Sequence, residues 1–293
     1  MKEGAPSGLV LQFVNKVAAA VAKKYPKVLI DTLAYQWTEK PPRFTRPLPN
    51  VRVRLAPIGA DYAHALNRSL QNKVPYENLV AWGHITHQLY IWSYCTNFAH
   101  YLQPLPDLDE IAGDIPLYKK HGVVGVFYEG DYAPGGGGSF AELKSYLIAQ
   151  LLWNPHLNAQ LLINDYVNHV YQGAAPEISD WLRALQEPAR LKGVPAYIYD
   201  PPTAPYFTNR LLKKGDVLFE RAFSHVKKGT KAYIEVQKAW LGLLYVELMR
   251  TPAGTAKYRN LGAEVAKLIH TLGIQQTSEG GSAANFLKSI GQS

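Results

Sequence analysis

The sequence predicts an α/β fold. A partial (β/α) barrel of about four parallel strands with helices spans residues 1–153, and an α-helical region follows over 154–293. Three observations predict it. Four short runs rich in β-branched and aromatic residues are separated by stretches of helical periodicity. Their starts fall roughly 25–40 residues apart, the scale of a βα unit. Beyond residue 153 the strand signal fades and amphipathic helical patterns take over.

The first predicted element is a helix over 9–24, where Val10, Phe13, Val14, Val17, Ala20 and Val21 recur at helical spacing. Ser7 is the candidate cap, and Pro26 ends the helix. VLIDTLAYQW (28–37) reads as the first strand, and a proline-rich loop follows it. VRVRLAPIGADY (51–62) is the second, with Arg52 and Arg54 alternating against Val51, Val53 and Leu55. A helix over 76–87 leads to the third strand, LYIWSYCTNF (89–98). A further helix ends at Lys119-Lys120, with Gly122 as its C′ residue. GVVGVFYEG (122–130) is the fourth strand, four glycines at 135–138 form a flexible turn, and Ser139 caps a helix reaching about residue 153. Near-continuous apolar strands of this kind imply parallel pairing with both faces buried. In the second part, five helical patterns surround a proline- and tyrosine-rich connector, VPAYIYDPPTAPYF.

Composition narrows the function classes. The chain has 293 residues, 47% of them apolar, enough for a large core. Net charge is +8, yet the basic residues are scattered as pairs near predicted helix ends, and no nucleic-acid motif accompanies them. Neither a signal segment nor about eighteen uninterrupted apolar residues is visible, so no membrane partner is expected. The single cysteine, Cys95, reads as a small buried hydrophobe. His84 and His87 lack an obvious third ligand, so neither metal nor cofactor is expected.

Parallel α/β sheets gather functional residues at the carboxyl ends of their strands. Those ends carry Tyr35 and Trp37, then Asp61 and His64, then Trp92, Tyr94 and Asn97, then Glu129, Asp131 and Tyr132. Aromatic faces stack on apolar sugar faces, while amides and acids bind hydroxyls, so this rim suits carbohydrate. Glycoside hydrolysis commonly uses two carboxyl groups. Glu129 is the expected general acid and Asp61 the base or nucleophile, with the other eight residues shaping the substrate site. Each has a structural alternative: Asp61 as a turn cap, Glu129 as an ion-pair partner of Arg52 or Arg54, His64 as a hydrogen-bonded scaffold residue. Asp31, in mid-strand, is expected to hydrogen-bond within the core. Trp82, Trp153, Trp181 and Trp240 are expected to be packing residues.

FVNKVAAAVAKKYPKVLIDTLAYQWTEKPP, VRVRLAPIGADYAHAL, LYIWSYCTNFAHYLQPLPDLD and HGVVGVFYEGDYAPGGGGSFAELKSYLIAQLLWNP together resemble the bacterial domain of unknown function DUF4838, over about residues 5–185. The resemblance implies a barrel similar to glycoside hydrolases, a role in polysaccharide degradation and a periplasmic or secreted setting. It implies no particular catalytic pair. Family proteins carry more chain before this segment, and four strands are half of an eight-stranded barrel. The expectation is a compact chain whose helical part packs on the sheet, with a homodimer as a further way to complete it. The rival functions are a non-catalytic carbohydrate-binding protein and a structural or assembly module.

Overall fold

The computed structural model describes residues 2–132 and 137–292. Helix α1 (Ser7–Ala22) precedes strand β1 (Ile30–Tyr35), and β2 (Val51–Ala56) follows the proline-rich loop. Then come α2 (Lys73–Gly83), β3 (Leu89–Tyr94), α3 (Leu108–Lys120), β4 (Val123–Glu129) and α4 (Ala141–Trp153). The four strands form one parallel sheet in the order β1-β2-β3-β4. Helices α2 and α3 make the crossovers from β2 to β3 and from β3 to β4, the repeating unit of a (β/α) barrel, whereas the proline-rich loop joins β1 to β2.

The second part is helical, as its periodicity predicts: α5 (Ala159–Tyr171), α6 (Ala175–Lys192), α7 (Asn209–Ser224), α8 (Lys231–Arg250) and α9 (Ala256–Leu272). The tail adds a small hairpin, β5 (Gln276–Ser278) with β6 (Gly281–Ser282), and then α10 (Ala283–Ser289). Thr208, Thr230 and Thr255 cap α7, α8 and α9, each side-chain oxygen accepting a first-turn N–H. The hairpin has too few residues for a period-2 pattern and is invisible to sequence reading.

The two faces of the sheet differ. Val51, Val53 and Leu55 of β2 and Leu89 and Ile91 of β3 are buried, in one apolar cluster with Leu11 and Val14 of α1 and Leu79 and Trp82 of α2. Full burial of each such side chain contributes about 1.5–3 kcal/mol. The cluster continues through α4, α5 and α6 to Val246 of α8, so sheet and helical region share a core. The alternate residues sit on a face that stays partly open, which corrects the expectation of burial on both sides. Leu33 and Phe127 remain close to half exposed there. Asp31 also lies on this face rather than in the core, and it pairs with Arg54 at 3.0 Å and Arg52 at 3.6 Å. Arg52 stacks over the Tyr90 ring at 4.2 Å. Gly125 makes room for that ring, because a Cβ at this position would run into it.

Other local expectations are corrected too. Ser7 lies inside α1 and donates its hydroxyl to the Lys40 carbonyl instead of capping. The N-cap of α4 is Phe140 in a left-handed conformation, not Ser139. Lys213 and Lys214 lie within α7 rather than near its end. Trp82 and Trp181 are core residues, but Trp153 is 91% exposed. Cys95 is half-buried, and burial pushes its thiol up to about 12.

Beneath the sheet α3 carries three buried acids. Asp107, at its N-terminal end, pairs with buried Lys144 at 2.9 Å. Glu110 and Asp114 are one helical turn apart, so their carboxyls meet on one side of the helix. Glu110 accepts from the Ser93 and Tyr128 hydroxyls, while Asp114 accepts from the Leu66 N–H at 2.7 Å and the Tyr118 hydroxyl. Burial, then the neighbouring acids, hold Glu110 well above the usual carboxylate range; burial raises Asp114 to about 7.

Candidate functional site

The carboxyl ends of the strands surround a hollow of roughly 210 Å³. Strand β1 supplies Leu33 and Tyr35, β2 supplies Ala56 with Ile58 just beyond it, β3 supplies Trp92 and Tyr94, and β4 supplies Glu129. These positions follow from pleating. Residues two apart point the same way, so Trp92 and Tyr94 share a face, and Glu129 pairs in register with Tyr94. Phe98, Tyr199 and Glu279 complete the wall.

Glu129 is half-buried at the edge of this hollow. Its Oε2 accepts a hydrogen bond from the Trp92 indole N–H at 2.8 Å. Indole nitrogen is only a donor, so this bond orients the carboxyl group. Among the described residues no donor reaches Oε1. Trp92 is itself steadied by an edge-to-face contact with Phe127 at 4.8 Å. Burial raises the Tyr94 and Tyr199 hydroxyls above the usual phenol range, and Tyr35, Glu129 and Glu279 add to the shift.

Asp61 belongs to a different construction. It is 1% exposed and does not line the hollow. Its Oδ1 accepts from the backbone N–H groups of Ala63 and Ala196, at 2.9 and 3.0 Å. Its Oδ2 accepts from Ser69 Oγ at 2.8 Å and faces His64 Nδ1 at 2.7 Å. Four partners saturate the carboxylate, so the structure does not bring Asp61 together with Glu129 as a working pair. His64 is held in turn, its Nε2 facing the Ala189 carbonyl at 3.1 Å. Asn97 is fully buried, donating to the Asp200 carbonyl at 2.8 Å and accepting from the His100 N–H at 3.0 Å.

Asp61 and Asn97 act on the hollow indirectly, and Phe98, which lines it, adds a backbone tie. Asp61 bonds Ala196, Asn97 bonds Asp200, and Phe98 N–H donates to the Ile198 carbonyl at 2.8 Å. Together they fasten the connector between α6 and α7 across the strand ends. Tyr199 is thereby placed in the wall. The tail hairpin is fastened similarly. Glu279 N–H donates to the Phe98 carbonyl at 2.7 Å, and Tyr101 N–H to the Thr277 carbonyl at 2.8 Å.

Of the remaining sequence candidates, Trp37 is 66% exposed on a short 3-10 turn and does not line the hollow. Asp131 accepts from Gly138 N–H at 3.1 Å, and burial raises its pKa. A Cβ at Gly138 would meet the Asp131 carboxyl and push that side chain aside. Tyr132 is exposed, and its hydroxyl accepts from Gly280 N–H at 3.2 Å. Of the glycines read as a flexible turn, Gly135 and Gly136 lie outside the described residues.

The structure therefore brings together Tyr35, Trp92, Tyr94 and Glu129 of the predicted set. Sequence reasoning missed Phe98, Tyr199 and Glu279. Tyr199 sits in a visibly aromatic connector, and Glu279 opens the sequence Glu-Gly-Gly, much as Glu129 precedes Gly130. Neither signal says which strand end the segment reaches.

Nothing among curated proteins or solved structures matches the chain. One family profile does match, that of a domain of unknown function, over residues 1–183. The matched stretch contains the whole four-stranded sheet and Glu129, while Tyr199 and Glu279 lie beyond it. On that match the chain belongs to the DUF4838 family.

Proposed function

We propose that the strand-end hollow binds a saccharide and that the protein hydrolyses a glycosidic bond there. The observation that carries this reading is Glu129. It is an oriented carboxyl with one oxygen bonded to Trp92 and the other facing an aromatic-walled hollow. In the proposed reaction Glu129 is the general acid, protonating the leaving oxygen as the anomeric C–O bond breaks. Water supplies the hydroxyl to the anomeric carbon. Asp61 is unsuited to the second role because its oxygens are already engaged. Glu279 shares the wall with Glu129 and takes that role as base or nucleophile. Tyr35, Trp92, Tyr94 and Tyr199 provide stacking faces and hydroxyl contacts.

Glu129→Gln keeps the acceptor for Trp92 but removes the transferable proton. It should lower saccharide release by about a thousandfold or more, equivalent to about 4 kcal/mol of transition-state stabilisation, with an unchanged melting temperature. Undiminished release would remove Glu129 from the chemistry. A second reading, binding without hydrolysis, is favoured by one observation: the matched family segment contributes a single open carboxylate to the hollow. Binding and release measured on the same saccharide panel separate the two, because the second reading gives binding alone.

A further inference from the structure

The hollow differs in charge from the molecule that holds it. The chain is strongly basic, at net +8. Yet the ten lining residues include two carboxylates, Glu129 and Glu279, and no Lys, Arg or His. The arginines on the same sheet face are engaged elsewhere: Asp31 takes both, and Tyr90 stacks under Arg52. Among the described residues the hollow's own charge is left without a counterion.

Its walls favour the same sign of ligand. Tyr35, Trp92, Tyr94, Phe98 and Tyr199 line it. An aromatic face attracts a cation through its quadrupole, most strongly where water is displaced. Tyr94 also lines the hollow, and its hydroxyl makes no hydrogen bond among the described residues, so it is open to a ligand's hydroxyls.

We propose that the hollow selects a saccharide unit bearing a protonated amine, and that Glu279 sets this selection. The proposal rests on the reading of the hollow as a sugar site and names its substrate class. An ammonium sugar offers a cation to the Glu279 carboxylate and to the aromatic faces, and hydroxyls to Tyr94. An N-acetylated sugar of the same shape offers no charge. A uronate would bring a third carboxylate into the same space, and like charges repel most where solvent is excluded. Glu279 is suited to the part because the tail hairpin holds its backbone against Phe98 while its side chain stays exposed. It adds charge to the wall without belonging to the packed core.

The test titrates the full chain with three oligosaccharides of equal length: glucosamine units with free amines, their N-acetylated counterparts, and a uronate series. Binding is measured near pH 6, where the amines are protonated, at low salt, for the wild type and for Glu279→Gln. The amine series should bind at least tenfold more tightly than the N-acetylated one, and the uronates most weakly. Glu279→Gln should erase most of the difference while thermal unfolding stays unchanged. Equal affinity for amine and N-acetylated forms would overturn the charge selection and leave the sugar site standing. An amine preference untouched by Glu279→Gln would overturn the role of Glu279. Absence of binding to all three would overturn the sugar site and the selection together.

Discussion

Asp61 and Glu129 follow and end two strands of one parallel sheet, β2 and β4, and they have opposite fates. Asp61 lies just past β2, where two backbone N–H groups, a serine hydroxyl and an imidazole converge on it. Glu129 ends β4 with one donor on one oxygen and open space at the other. The difference teaches that strand-end position nominates a carboxylate without assigning its work. The number of donors around it decides. A saturated carboxylate is scaffold, and a carboxylate with a free oxygen in a hollow is available for chemistry.

Breaking the saturated side should have the larger structural effect. Asp61→Ala would strand buried donors on two loops and loosen the connector that carries Tyr199. A loss of about 3 kcal/mol in unfolding free energy is expected, with Tm lowered by roughly 5 °C in a thermal melt. A variant as stable as wild type would show that the four bonds contribute little.

The buried acids of α3 give the next effect. A carboxyl group whose pKa is raised by folding favours the protonated state. The fold therefore loses stability as pH rises above the unfolded value near 4, until the folded value is passed. With Asp114 at about 7 and Glu110 well above its usual range, stability should fall from about pH 4 to about pH 7, and beyond it as Glu110 ionises. Glu110→Gln keeps an acceptor for Ser93 and Tyr128 and can donate toward Asp114. It should flatten that slope and be more stable than wild type by about 1–2 kcal/mol at pH 8. Denaturant unfolding at several pH values checks this, and an unchanged slope would contradict it.

Smaller effects sharpen the contrast at the hollow. Trp92→Phe keeps an aromatic face but deletes the bond to Glu129, so turnover should fall roughly five- to tenfold with little change in stability. Trp37→Ala should change binding less than about twofold, because Trp37 is exposed and away from the hollow. A large loss in that variant would extend the site beyond the lining described.

The sheet was legible because its signals are local. β-branched runs, helical spacing and Gly122 at the end of α3 report backbone preference within a few residues. The five helices of the second part were legible for the same reason. What stayed hidden is long-range. Nothing near Asp61 in sequence announces that Ala196 will donate to it. Glu279 lies far along the chain from Glu129, in a hairpin too short to show a period. The half-open sheet face was also misjudged, because Arg52, Arg54 and Asp31 look alike in sequence whether they are buried as a network or half-solvated as one.

The central claim is that the hollow beside Glu129 is where a saccharide binds. Trp92 reports on it directly, since its indole N–H donates to Glu129. The chain has six tryptophans, and Trp82 and Trp181 are core residues that serve as internal controls. In an indole 15N NMR titration with oligosaccharide, the Trp92 signal should shift progressively while those of Trp82 and Trp181 stay in place. A saturable shift at other tryptophans with Trp92 unmoved would contradict the claim.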